Sequence, residues 1–153
     1  MQVPCQRWLE ACPTDLEQRT RQFFAAHRDL CPERILPFVA QHVRVEYVGA
    51  LEPLDRAGLE RMLEAMHGNL SALGMASLRF RLEDVVARRN VTFAEWTCEV
   101  ERAGRPKGEY SGVHILTWDR DGLVTHATVY TDSETVRRLA VGGHFIPALP
   151  ALQ

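Results

Sequence analysis

The sequence predicts an α+β fold: about three helices, with one short strand among them, packed on one face of an antiparallel sheet. Three observations predict it. Apolar residues recur at helical spacing through the first half of the chain. From Leu78 to about Thr131 the period changes to two. The alternating segments are joined by short turn-type connections, which imply an antiparallel meander. Helices segregated from strands in one chain mark the α+β class.

The elements follow in order. Thr14-Asp15-Leu16-Glu17 reads as a capping box, with the Thr14 hydroxyl as cap and Glu17 reaching back to it. Leu16, Phe23, Phe24, His27 and Leu30 form the stripe of the helix it starts. Cys31-Pro32 stops that helix and starts a shorter one, Glu33 to His42, which Pro37 bends or splits. Val43 to Tyr47 alternates as a short strand. Asp55 caps a third helix with the stripe Leu59, Met62, Leu63, Met66, Leu70 and Leu73, frayed or ended at Gly68 and Gly74. Strands are expected over 78–88, 91–102, 107–118 and 123–131. Arg89-Asn90, Ala103 to Pro106 and Asp119-Arg120-Asp121-Gly122 supply the turns. Asp132-Ser133-Glu134 caps a last short helix, ended by Gly142-Gly143. The tail from residue 144 is apolar and broken by Pro147 and Pro150, so an ordered, extended clasp or lid is expected of it.

The bulk numbers fit one domain over residues 1–153, with a core of about 14–140. The chain has 153 residues, 46% hydrophobic and 25% charged, a globular composition. A formal net charge of -2 gives no electrostatic case for nucleic acid. No apolar run reaches the length of a membrane span. Cys5, Cys12, Cys31 and Cys98 show neither CxxC nor Cys/His metal spacing, so no metal and no disulfide framework is expected. With no signal-like run at Met1 to Arg7, the expectation is a cytoplasmic protein with reduced thiols.

Three segments carry a family resemblance. They are Val43-Arg44-Val45-Glu46-Tyr47 with Gly49 and Glu52-Pro53; Arg81 to Ala87 followed by Val91 to Thr97; and Ser111 to Trp118 with Asp121 to Val124 and Tyr130-Thr131-Asp132. Their order resembles the nuclear-transport-factor-2-like superfamily, which includes ketosteroid isomerases, SnoaL-like polyketide cyclases, scytalone dehydratase and limonene epoxide hydrolase. The resemblance implies a curved antiparallel sheet wrapped around about three helices in a cone-shaped, cystatin-like roll, a pocket for a small apolar molecule, a homodimer and no cofactor. It also marks departures. Tyr47 stands where the isomerases carry a carboxylate base, and His114 where they carry their second acid. Gly112 and His114 stand where the epoxide hydrolases carry arginine and aspartate. Tyr47 matches a pocket tyrosine of scytalone dehydratase.

Strand parity fills in the pocket, because alternate residues share a face. The inward sets are Val43, Val45 and Tyr47; Ala94, Trp96, Cys98 and Val100; Tyr110, Gly112, His114 and Leu116; and Val124, His126, Thr128 and Tyr130. Phe23, Phe24, His27, Met62 and Met66 close the cavity from the helices. The outward apolar set, Val113, Ile115 and Val129, suits contact with a second copy.

The candidate catalytic residues are then His114, which exchanges a proton beside a carbonyl, Tyr47, which donates to the developing oxyanion, and Asp132, which, with His126 as the alternative, orients the imidazole. The candidate ligand-binding residues are Phe23, His27, Met62, Met66, Trp96, Cys98, His126, Thr128 and Tyr130. Each also has a plain structural reading: His27 as filler of a helix face, Asp132 as a helix cap, Cys98 as packing. The function these imply is cofactor-independent cyclase, isomerase or hydro-lyase chemistry; the alternative is a non-catalytic binding or accessory domain.

Overall fold

The computed structural model describes residues 15–72, 75–102 and 104–140. Thr14, Leu73, Gly74, Cys5, Cys12 and the tail beyond Ala140 lie outside them. The elements run α1 (Leu16–Ala26), a 3-10 turn (Arg28–Leu30), α2 (Pro32–Ile35), a second 3-10 turn (Leu36–Phe38), β1 (Val39–Tyr47), α3 (Arg56–Ala72), β2 (Met75–Arg88), β3 (Val91–Arg102), β4 (Arg105–Trp118), β5 (Val124–Thr131) and α4 (Ser133–Ala140). The fold is α+β, with one curved, open five-stranded sheet in the order β1-β5-β4-β3-β2. No helix among the described residues is long and apolar enough to cross a membrane.

β2 to β5 form the expected antiparallel meander. β1 adds to β5 in parallel, so the sheet is mixed at that edge. The chain order explains this. After β1 the chain passes through α3 to the far edge of the sheet and returns strand by strand, leaving the open side of β5 for β1. A parallel pair needs such a long crossover, which α3 and the meander supply.

Several local expectations are corrected. The N-cap of α1 is Asp15, whose carboxylate accepts from the Gln18 amide at 2.9 Å. The helix expected over Glu33–His42 is limited to Pro32–Ile35 and a 3-10 turn, because Pro37 lacks the amide that would continue it. β1 accordingly starts at Val39 rather than Val43. Gly68 sits inside α3, where the buried stripe Leu59, Met62, Leu63, Met66 and Leu70 outweighs a weak glycine. Arg56, in the first turn of α3, donates to the carbonyls of Leu36 and Val39 and so ties the helix to the start of β1.

The largest correction is at β5. Trp118 pairs with Val124, but Thr117 pairs with His126, so Thr125 is an extra residue in the ladder. Such a bulge inverts the parity of everything beyond it. Val124, Ala127 and Val129 therefore face the helices. His126, Thr128 and Tyr130 face outward beside Thr117, Ile115 and Val113. Val129, expected on the outer face, is core at 1% exposure. The outer face keeps Val113 and Ile115 half-buried and exposes Val86, Phe93 and Tyr130.

The turn after α1 clamps the two layers. Asp29 and Leu30 both have left-handed backbone, φ 56 and 53, a conformation that is costly for a residue such as leucine. The Asp29 carboxylate accepts from the Leu78 amide on edge strand β2 at 2.8 Å. Its carbonyl accepts from His67 Nδ1 of α3 at 2.6 Å. One residue thus holds the strained turn, the sheet edge and α3 together. Asp29→Ala should lower stability by about 1–3 kcal/mol, because it strands an edge amide and loses a residue that tolerates positive φ. Asp29→Asn, which keeps both properties, should stay close to wild type in urea unfolding. Equal losses in the two variants would remove the clamp from the account.

Candidate functional site

The site begins with a glycine. Gly112 on β4 lies opposite Trp96 on β3. A Cβ at Gly112 would sit 2.4 Å from Trp96 Cζ2 and 2.6 Å from the Tyr130 carbonyl. Its absence lets the indole lie across β4. Trp96 Nε1–H then donates to His114 Nδ1 at 2.7 Å, and both residues are buried. An indole nitrogen can only donate, so His114 Nδ1 is the bare nitrogen of a neutral ring and Nε2 carries the proton. Burial, with His27 nearby, keeps the His114 pKa well below its ordinary value.

His27 has the opposite arrangement. It ends α1, and its Nδ1–H donates to the Phe23 carbonyl one turn back at 2.7 Å. Its bare nitrogen is therefore Nε2. Burial pushes its pKa down to about 4, against a smaller upward pull from the Phe23 carbonyl. The His27 and His114 ring centroids are 6.2 Å apart at 78°. Neither Nε2 has a partner among the described residues. No side-chain nitrogen or oxygen there is both fully enclosed and unpaired, so each Nε2 keeps some accessible surface.

Two small cavities meet at these rings. One, of about 30 Å³, is lined by His27, Tyr47, Met66, Phe80, Tyr110 and His114 among others. The second, of about 20 Å³, shares His27, Tyr47 and His114 and runs toward Phe23 and Val43. A water needs about 10–15 Å³ of such space, so the larger cavity has room for two or three waters and the smaller for one or two. Where the sequence leads one to expect a pocket sized for a small molecule, packed rings leave, among the described residues, only these two small cavities, and Phe80 is one of the rings on the larger. This half-buried ring stands 5.7 Å from His27 and 5.0 Å from Trp96. On its other side Phe80 borders a groove of about 490 Å³ between α1 and β2, with Phe24, Ala25, Arg28 and Arg79.

Two tyrosines complete the polar lining. Burial raises the Tyr47 phenol above its ordinary value, so it stays protonated and can only serve as a neutral hydrogen-bonding group at neutral pH. Tyr110 is likewise raised, first by burial, and its hydroxyl bonds the Cys98 thiol. Burial pushes that thiol up to about 11, so it is not nucleophilic.

The expected site residues thus divide. His114, Tyr47, His27, Trp96, Met66 and Phe23 line the cavities. Cys98 and Met62 are fully buried in the surrounding core. His126, Thr128 and Tyr130 are on the outer face, where the bulge puts them, and His126 Nε2 is 3.3 Å from Glu46 Oε2. Asp132 is exposed and caps α4, accepting from the Glu134 amide at 3.0 Å and the Thr135 hydroxyl at 2.7 Å. It does not touch the His114 ring, whose Nδ1 is taken by Trp96. Sequence reasoning gave no role to Phe80 or Tyr110. Tyr110 was in the inward set of β4, and Phe80 shares parity with Leu78 and pairs with inward Cys98.

The comparisons with known proteins fit this architecture. Residues 20–127 match the family model of the SnoaL-like domain, and the chain belongs to that family. No curated protein sequence matches it significantly. Among solved structures it is similar to PrhC from Penicillium brasilianum, with TM-score 0.65 and 16% identity over 82% of this chain and 88% of that one. It is similar to the BvnE pinacolase from Penicillium brevicompactum, with TM-score 0.65 and 13% identity over 84% and 96%. It is similar to an LEH-like epoxide hydrolase of M. tuberculosis, with TM-score 0.59 and 15% identity over 85% and 92%. At these identities the likeness shows the fold.

Two outcomes follow from this geometry. Gly112→Ala should force the Trp96 ring off His114, lowering stability by about 1–3 kcal/mol by overpacking. The Trp96 indole N–H resonance should lose its hydrogen-bonded shift; an unmoved resonance would dismiss the role given to Gly112. The second outcome concerns pH. Both histidines are neutral in the folded chain and gain a proton on unfolding below their unfolded pKa near 6.5. Stability is therefore complete above that value and falls as the pH drops toward about 4. His27 alone accounts for about 3 kcal/mol of that loss. The described residues that line its cavities are aromatic and aliphatic side chains, Thr131 and His114, with no carboxylate to offset it. His27→Phe should flatten the loss in urea titrations between pH 7 and 4.5; an unchanged slope would contradict the neutral assignment.

Proposed function

We propose that the chain is a small-molecule-binding domain that performs cofactor-independent proton transfer on an apolar carbonyl compound, in the manner of an isomerase, cyclase or hydro-lyase. The observation that carries it is the fixed tautomer of His114. A ring whose Nδ1 is held by an indole donor presents Nε2–H, not a lone pair, to the cavity. The role expected of His114 is thereby revised from base to hydrogen-bond donor. It polarises a carbonyl oxygen and, with the Tyr47 hydroxyl, holds the charge that develops there. The apolar walls exclude water and strengthen both contacts. Entry requires Phe80 to swing out toward the groove between α1 and β2, which joins the groove to the inner cavity.

A second reading, ligand binding without turnover, is supported by the tightness of the cavity and by the lack of a carboxylate among the described residues that line it. One assay separates the two. 1-Tetralone is titrated while tryptophan emission is followed, and its α-proton exchange is measured in D₂O. Saturable quenching that is lost in Trp96→Phe, with exchange slowed about 100-fold or more in His114→Ala, supports proton transfer. Quenching with exchange no faster than buffer moves the chain to the binding class. Absence of binding in both wild type and Phe80→Ala defeats both readings for compounds of this kind.

A further inference from the structure

We infer that His27 and His114 form one complementary pair, a bare Nε2 facing an Nε2–H across the cavity, built to hold a single oxygen that accepts and donates at once: the hydroxyl of a phenol, enol or alcohol, or a water. The inference rests on the reading of this cavity as a ligand site and adds to it a second catalytic residue and a ligand class.

The tautomers are fixed independently. The Trp96 indole leaves His114 only Nε2–H to offer. The Phe23 carbonyl leaves His27 only the Nε2 lone pair. Two complementary nitrogens that could reach each other would bond directly. At 6.2 Å between ring centroids they make no such bond, and the cavity both line, about 30 Å³, has room for an oxygen between them. A carbonyl or ether oxygen satisfies only His114 and leaves the His27 lone pair buried without a donor. A carbon satisfies neither. A hydroxyl satisfies both, and the loss on replacing it is the ordinary penalty for a stranded buried polar group.

The arrangement also defines a proton path. In a bound enol or phenol the O–H bond breaks and the proton passes to His27 Nε2. The electron pair stays on oxygen, held by His114 Nε2–H. The reverse transfer restores the neutral pair. For an enolisable ketone the same nitrogen takes the α-proton, the C–H electron pair flows to the carbonyl oxygen, and return of the proton to that oxygen gives the enol. No oxidant or further reactant enters. Because both rings are neutral at rest, the charged intermediate lies uphill and is not stored.

The test has two parts, neither of which depends on turnover. In ligand-free protein at pH 7, long-range ¹⁵N–¹H spectra of the imidazoles should show opposite tautomers: Nδ1–H for His27 and Nε2–H for His114. The same tautomer in both rings, or a charged ring, overturns the pair. Phe80→Ala, with Phe80→Leu as a milder variant, then makes room for a ring, and phenol is compared with anisole. Phenol should bind about tenfold tighter and shift both Nε2 signals, whereas anisole should shift that of His114 alone. In the same background His27→Phe should erase the preference. Equal affinity for the two probes, or binding of neither, overturns the ligand class. Opposite tautomers with preferred phenol but no α-proton exchange would leave the pair standing and the catalytic reading fallen.

Discussion

An indole N–H can donate a hydrogen bond and can do nothing else. When the acceptor it meets is a ring nitrogen of histidine, the indole decides which tautomer that histidine adopts. The Trp96–His114 bond is therefore the constraint on which the chemistry of this cavity depends. The bond depends in turn on Gly112, because any side chain there would occupy the space of the indole. The comparison with Trp118 makes the point. Its Nε1–H is also buried, and it ends on the Thr92 hydroxyl at 2.8 Å, which lies 3.0 Å from the Thr20 hydroxyl. That chain of alcohols satisfies an indole without touching an ionisable group. The same donor placed on His114 sets the role of a titratable ring.

Burial would make a charged histidine expensive, and the cavity answers by keeping both rings neutral. Each has one nitrogen paired to a fixed protein atom and one turned to the cavity. A buried imidazole with both nitrogens unpaired would carry a penalty of roughly 1–3 kcal/mol for each. Fixing one nitrogen per ring leaves a single polar atom on each side to be matched by a guest. In the proposed ligand site the cost of that unmatched pair would be the source of selectivity, favouring a ligand to the extent that it completes what the fold leaves open.

Most of the fold was legible because periodicity carries it. The α3 stripe, the meander and the turns at Asp119 to Gly122 follow from spacing and turn chemistry, and β1, β3 and β4 keep the parity read from their sequences. β5 was not legible. In Val124-Thr125-His126-Ala127-Thr128-Val129-Tyr130 both alternating sets contain apolar and polar members, so the pattern cannot show where a residue is inserted. One bulge at Thr125 then moved His126, Thr128 and Tyr130 out of the cavity and Val129 into it. At the site, Tyr47, Trp96 and His114 were found by parity. The role of His114 was not, because it rests on which nitrogen meets Trp96, a tertiary contact across two strands. His27 looked like filler because it continues an apolar helical stripe; its chemistry comes from ending that helix.

That helix end explains why the pair is well defined. The last turn of a helix has carbonyls without intrahelical partners. His27 closes α1 with its backbone amide on Phe24 and its ring on Phe23, so the terminus itself aims the lone pair at the cavity. His114 is aimed by the sheet, through Trp96 and the β3–β4 register. One member of the pair thus belongs to the helical layer and the other to the sheet layer, and their separation is the separation of the layers. Asp29, two residues beyond His27, joins those layers by bonding the β2 edge and α3 from a strained turn. The strain has a place in this arrangement. A relaxed turn would let α1 settle against the sheet independently of β2, and the spacing of the two rings, 6.2 Å between centroids, would no longer be held.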